Sequence, residues 1–202
     1  MTQSKTKPFL VIGLPRSKTA WLSNYFTNYG ITCYHEPSVN HRVERIEEML
    51  GDKHGASDSG LVFSSDWVIR RVNTGKVRVL IVNRPKEDVA KSLEVAYKAE
   101  GLEIKSVEFV VELFNFNLRN IKASIFDKNP DRMDVEFDDV FDRIEEIHNF
   151  CTPEIPFDAQ RFKVLKDLKV TQIISNRLNG GDEIQSEDIR NSVDTFIGGD
   201  LP

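Results

Sequence analysis

A chain of 202 residues is long enough for one α/β domain with a substantial core, and a second full domain would be crowded. A net charge of −5 argues against broad nucleic-acid or membrane-surface binding, although a local basic pocket inside an acidic shell remains compatible with it. With two cysteines, Cys33 and Cys151, there is no disulfide framework, no apolar run approaches the roughly 20 residues of a membrane span, and the polar start has no signal-peptide core, so the sequence predicts a cytoplasmic protein with buried thiols.

Residues 9–12 are a continuous apolar run, the pattern of a buried parallel strand. The run enters a turn in which Gly13 opens backbone angles closed to other residues and Pro15 fixes one dihedral. A helix follows, with Lys18 and Thr19 in its first turn, and the free N–H groups of a helix start favour an anion. Arg16 and Lys18 add two cations, so the segment reads as a phosphate cradle. It is not a Walker loop, because Ser17 stands where a glycine should precede the Lys-Thr pair and one residue is missing after Gly13.

Trp21, Leu22, Tyr25, Phe26 and Tyr29 recur at helical spacing as a core face, with Gly30 as the expected cap. Residues 31–34 form a short second strand that delivers His35, Glu36 and Pro37 to its C-terminal end, the edge where ligands sit in open parallel sheets. Residues 43–50 are an amphipathic helix, 51–60 a loop dense in turn residues, and 61–63 a third short strand. Ser64, Ser65 and Asp66 then either cap a helix beginning near Trp67, the preferred reading, or touch a ligand.

Residues 77–82 are the clearest strand, and they run directly into Asn83, Arg84 and Pro85. An arginine at a strand's C-terminal end, with Ser92 on the outward turn of the next helix, can grip a phosphate by charge-assisted hydrogen bonds. The plainer alternative pairs Arg84 with Asp88 at the helix start. Beyond lie a long helix over 107–126, a turn at 129–131, a strand over 133–137, a helix over 140–150 led by Asp138 and Asp139, and a helix over 158–168. Residues 170–174 read as a last strand or a helical turn. The expected layout is a single domain over 1–175 and a polar tail over 176–202. Its fold class is α/β with three layers, a central, mostly parallel sheet of about four to five strands flanked by helices.

The two phosphate-type segments together resemble the sulfotransferase family. That family's 5′-phosphosulfate loop reads roughly Pro-Lys/Arg-Ser-Gly-Thr-Thr-Trp-Leu, against Pro15, Arg16, Ser17, Lys18, Thr19, Ala20, Trp21 and Leu22 here. Its 3′-phosphate motif, a strand followed by Arg-Asp-Pro-Arg-Asp-Val-Ala-Val-Ser, is matched at Arg84, Asp88, Val89, Ala90 and Ser92, with Pro85 one place early. Residues 135–140 are similar to the family's Tyr-Glu-Asp-Leu segment. Arg177 to Gly181 faintly echo a third, C-terminal phosphate segment, and no residue is carried over from them.

The resemblance implies a P-loop-type fold in a compact, soluble member of the bacterial or phage kind. It further implies transfer of a sulfuryl group from 3′-phosphoadenosine-5′-phosphosulfate (PAPS) to a hydroxyl or amine of a small-molecule or glycan acceptor, with adenosine 3′,5′-bisphosphate (PAP) as product. On this basis Pro15, Arg16, Ser17, Lys18, Thr19, Ala20 and Trp21 line the donor site, Arg16 to Thr19 on the phosphosulfate, and Arg84 and Ser92 hold the 3′-phosphate. Trp21 either packs near the adenine or anchors its helix. Arg16 and Lys18 are candidates to steady the departing phosphate. Several branches of the family use a glutamate in a Glu-Pro dipeptide as base, which selects Glu36, with His35 second.

Two departures concern the loop itself. Lys18 replaces a glycine and Ala20 removes a hydroxyl: in helical geometry a lysine at 18 is tolerated and can reach back to the phosphate, a positive φ there would distort the donor pocket, and Lys18 is expected to compensate for the lost hydroxyl. No metal is expected, because the strand before Arg84 ends in Asn83 and the histidines and cysteines lack zinc-ligand spacing. The alternatives are a small P-loop nucleotide or metabolite kinase needing Mg²⁺ and ATP, and an inactive nucleotide-binding module.

Overall fold

A computed structural model describes residues 7–29, 31–51, 54–99, 101 and 106–167. Five strands alternate with helices: β1 (Phe9–Gly13), α1 (Thr19–Asn28), β2 (Cys33–His35), α2 (Val43–Leu50), β3 (Gly55–Ser57), α3 (Ser65–Asn73), β4 (Arg78–Asn83), α4 (Lys86–Ala99), α5 (Val107–Ser124), β5 (Arg132–Glu136), α6 (Ile144–Cys151) and α7 (Ala159–Asp167). The strands form one sheet in the order β2-β3-β1-β4-β5, and each of its four pairings is parallel.

The apolar run of β1 serves two cores at once. Successive side chains of a strand point to opposite faces. Leu10 and Ile12 therefore join the cluster built with α2, α3, α4 and α5, whereas Phe9 and Val11 join the one built with α1, α6 and α7. In β4, Val79 and Ile81 take the first face, and Leu80 and Val82 the second. The result is a three-layer α/β sandwich with β1 at its centre. The chain turns from one side of β1 to the other after β3, and in such sheets the crevice at the C-terminal strand ends beside that reversal is the usual ligand site.

The third strand is not where its apolar residues suggested. Residues 60–64 form a 3₁₀ turn that buries Leu61 and Val62, while β3 lies in the segment read as loop. The reason is a close approach: a Cβ on Gly55 would come within 2.2 Å of the Phe9 ring, so this strand must be made of small residues that carry little strand propensity. The helix expected over 140–150 is likewise split, into a 3₁₀ turn at Asp138–Val140 and α6. Ser64 stands at the N-cap of α3 without a capping hydrogen bond from its side chain, whereas the hydroxyl of Ser106 caps α5 by accepting from the Phe109 N–H.

Cys33 and Cys151 are free and buried, as expected. Among the described residues no helix is long and apolar enough to cross a membrane. The expected Gly30 cap, the 170–174 element, the Arg177 to Gly181 segment and the 176–202 tail lie outside the described residues.

Candidate active site

The C-terminal strand ends carry the candidate residues: the loop 14–18 after β1, His35 and Glu36 at and after β2, Asp58 after β3, Arg84 after β4 and Phe137 after β5. Gly13 makes the first of these possible. A Cβ there would stand 2.7 Å from the Val82 carbonyl oxygen and 3.3 Å from Ser17, so only glycine lets the loop fold back beside β4. Ser17 is fully buried, and its hydroxyl has no hydrogen-bond partner among the described residues. The start of α1 carries no capping side chain and no acidic residue in its first turn.

Arg16 and Lys18 both take left-handed backbone angles, with φ of 66° and 61°. Residue 18 is thus the case in which the family's glycine is free of cost and a lysine is not, at roughly 1–2 kcal/mol. The chain keeps the conformation and gives the side chain a place. Lys18 Nζ donates to the Phe137 carbonyl at 2.5 Å and lies 3.3 Å from the centroid of the Phe137 ring. Burial lowers the Lys18 pKa, opposed by the charge of Asp138 and furthered by that of Arg84.

The two phosphate-type segments, far apart in sequence, meet here. Arg84 Nη1 donates to the Arg16 carbonyl at 2.5 Å, and Arg16 Nε donates to Ser92 Oγ at 3.4 Å. The Arg84 guanidinium also lies 4.2 Å from the Phe137 ring centroid. Arg84 is held by a carbonyl and a ring rather than by a carboxylate, although Asp88 is near enough to raise a pKa that burial and Arg16 lower. A cavity of ≈ 680 Å³ opens beside this group, lined by Arg16, Arg84, Lys91, Ser92, Phe137 and Asp138 among others. Three cations, Arg16, Arg84 and Lys91, and two carboxylates, Asp88 and Asp138, line that wall.

Glu36 sits on the other side of the loop, with φ of 46°. Its Oε1 accepts from Ser59 Oγ at 3.1 Å and lies 4.0 Å from His35 Nε2. Burial pushes the Glu36 carboxyl up, while the Ser59 hydrogen bond and the charge of Arg16 hold it down. Burial lowers His35 to about 4 against an opposing pull from Asp58. The imidazole is therefore neutral at pH 7, and its contact with Glu36 is not an ion pair there. Its Nδ1 has no partner among the described residues.

The remaining candidates are placed as follows. Trp21 is 6% exposed and stacks on Tyr25 at 5.3 Å with its edge contact to Phe141 at 4.8 Å, so it belongs to the aromatic cluster behind α1 and not to the cavity wall. Thr19 is buried, and its carbonyl accepts from Ser57 Oγ at 2.8 Å, which pins the helix start to β3. Pro15 and Ala20 are half-buried.

Sequence reasoning passed over Phe137 and Asp58 as site residues. Phe137 was visible only as part of a segment of low specificity. Asp58 lay among turn residues, and its partner Ser38 is 20 positions away. Among the described residues no group of three or more histidine, cysteine, aspartate or glutamate side chains could hold a metal ion.

No family model matches the chain, and no curated protein matches it in sequence. Solved structures do. The fold defines the chain first as an α/β protein with a five-stranded parallel sheet flanked by helices. It is similar to a mouse sulfotransferase, SULT7A1, complexed with PAP, at 16% identity and a TM-score of 0.56, over 80% of this chain and 64% of that one. It is also similar to a sulfotransferase domain from the curacin biosynthetic pathway, at 9% identity and a TM-score of 0.58, over 97% of this chain and 99% of that one. The chain thus spans somewhat under two thirds of the mouse enzyme and nearly all of the curacin domain. Its fold is that of these sulfotransferases.

Proposed function

We propose that the protein is a PAPS-dependent sulfotransferase acting on a hydroxyl or amine of a small-molecule or glycan acceptor. The observation that carries this reading is the meeting of Arg16, Arg84 and Ser92 at one cavity, with Glu36 at the C-terminal end of β2 on the same edge of the sheet. Two phosphate-type segments at one crevice suit a nucleotide bearing phosphate on both ends, and the mouse neighbour is complexed with PAP. The residues also fit such a ligand: Ser17 has a buried hydroxyl without a partner among the described residues, and the Lys18 ammonium and Arg84 guanidinium rest on carbonyls and a ring.

In this reading the donor supplies the sulfuryl group for an in-line transfer. Arg16, Ser17, Lys18 and Thr19 bind its 5′-phosphosulfate, and Arg84 and Ser92 its 3′-phosphate, by charge-assisted hydrogen bonds. Arg16 and Lys18 offset the charge that grows on the departing phosphate, an electrostatic task like that of phosphoryl transfer. Glu36 accepts the acceptor's proton, and a carboxylate made more basic by burial suits that work.

A thermal-shift comparison of PAP with ATP, each with and without Mg²⁺, tests the reading. Stabilisation by PAP that does not depend on Mg²⁺ is expected; stabilisation only by ATP with Mg²⁺ would replace it with a kinase.

A further inference from the structure

Glu36 occupies a conformation that its neighbours do not favour. A residue before proline is steered away from the right-handed helical region, and a glutamate in the left-handed region is strained by its own Cβ. An extended backbone at this position would carry the carboxylate elsewhere. Something must hold the turn, and the holder is in view at the end of β3.

Asp58 is fully buried, and its backbone N–H continues the ladder to β1 by donating to the Val11 carbonyl at 2.8 Å. Its carboxylate accepts three hydrogen bonds: Oδ2 from the Ser38 N–H at 2.7 Å, and Oδ1 from Ser38 Oγ at 2.8 Å and from the Gly60 N–H at 2.7 Å. A Cβ on Gly60 would meet Ser38 Oγ at 2.3 Å and Asp58 Oδ1 at 3.1 Å, so the clamp closes only over a glycine. Between the two, Ser59 donates its hydroxyl to Glu36 Oε1. One tripeptide thus fixes both the backbone turn and the side chain of Glu36.

We propose that Asp58 is the positioning residue of the transfer site: its buried carboxylate clamps the turn of Glu36, Pro37 and Ser38 to the end of β3 and so holds the Glu36 carboxylate toward the crevice. This rests on the reading of Glu36 as the proton acceptor. Three charged or titratable groups face Glu36 from different elements: Arg16 from the loop after β1, His35 from β2 and Asp58 from the end of β3. Arg16 favours its ionised form. The charge of Glu36 in turn helps raise the Asp58 carboxyl that burial already pushes up, and a coupling between two carboxylates acts both ways.

The test is a pH titration by NMR of the full chain carrying ¹³C-labelled glutamate side chains, with the Glu36 resonance assigned from its loss in Glu36→Gln. In Asp58→Asn the Glu36 midpoint is expected to fall, while affinity for PAP stays that of the wild type. A folded Asp58→Asn whose Glu36 midpoint does not move would overturn the proposal. Should that variant fail to fold, the wild type decides. The Ser38 and Gly60 amide protons should shift together as Asp58 takes its proton, and Glu36 should show a step at the same pH, as coupled sites do. Independent titration of the two carboxyls would overturn the clamp. Failure of the wild type to bind PAP would instead overturn the donor reading, leaving the Glu36 and Asp58 titrations to stand or fall by themselves.

Discussion

The loop after β1 and the turn after β2 both hold charged residues in the left-handed region, and they are held by opposite means. At Lys18 the stabilising contacts are a backbone carbonyl and the face of Phe137, and the adjacent Ser17 hydroxyl is buried without a partner among the described residues. At Glu36 the turn is locked by three hydrogen bonds into a buried carboxylate. Strain of this kind is retained where the surroundings over-determine it, and it concentrates at functional sites. The difference separates two tasks. The first loop has a buried hydroxyl without a partner among the described residues, whereas the backbone turn at Glu36 is held by the protein's own hydrogen bonds, and the proposed proton acceptor is thereby preorganised.

The largest expected effect concerns the finished turn. His35 is buried as the neutral imidazole, with its pKa depressed from 6.5 to about 4. The unfolded chain therefore binds a proton that the folded one resists, and stability is lost as pH falls from about 6.5 to about 4, by at most about 3 kcal/mol from this residue. Chemical denaturation of the wild type and His35→Asn across that range should show a smaller acid loss in the variant. Equal losses would mean that the turn is not so tightly closed. Glu36 has the opposite sign: its raised pKa means that its contribution is fully present below the ordinary carboxylate value of 4.5 and lost as pH rises through the folded value. Glu36→Gln should accordingly stabilise the protein at neutral pH, and the gain should vanish in acid.

Much of this site is legible in the sequence. The apolar runs of β1 and β4 announce buried strands, and the segments at their ends read as phosphate-type before any geometry is known; the structure brings Arg16, Arg84 and Ser92 together. What hides is whatever depends on close approach between distant segments. Gly55 removes the strand signal from β3 because the Phe9 ring needs its space, and Leu61 and Val62 look like a strand because a 3₁₀ turn happens to bury them. Asp58 resembles any turn aspartate until Ser38 and Gly60 are seen pointing at it. The sign of φ at residue 18 decides what Lys18 costs, and no side-chain pattern reports it.

On the open loop, Lys18→Gly should separate strain from function. Removing the left-handed lysine is expected to stabilise the fold by about 1 kcal/mol or less, since glycine also gains freedom in the unfolded chain. The same change removes a cation from the proposed donor site, so on that reading PAP binding should weaken severalfold. Calorimetric titration checks the second half, and unchanged or tighter binding would show that Lys18 does not compensate for the hydroxyl absent at Ala20. The smallest effect is expected at Ser92→Ala, which removes one neutral partner of Arg16 and should cost PAP affinity by about 0.5 kcal/mol.

The central claim is that Arg84 and the loop after β1 make one site for a nucleotide with phosphate at both ends. Its most direct test is the calorimetric affinity of PAP and of adenosine 5′-monophosphate for the wild type and for Arg84→Ala. PAP should bind the wild type about 10- to 100-fold more tightly than the monophosphate, as a charge-assisted contact of roughly 1.5–3 kcal/mol implies, and that preference should collapse in Arg84→Ala. A preference for PAP that survives the loss of Arg84 would contradict the account.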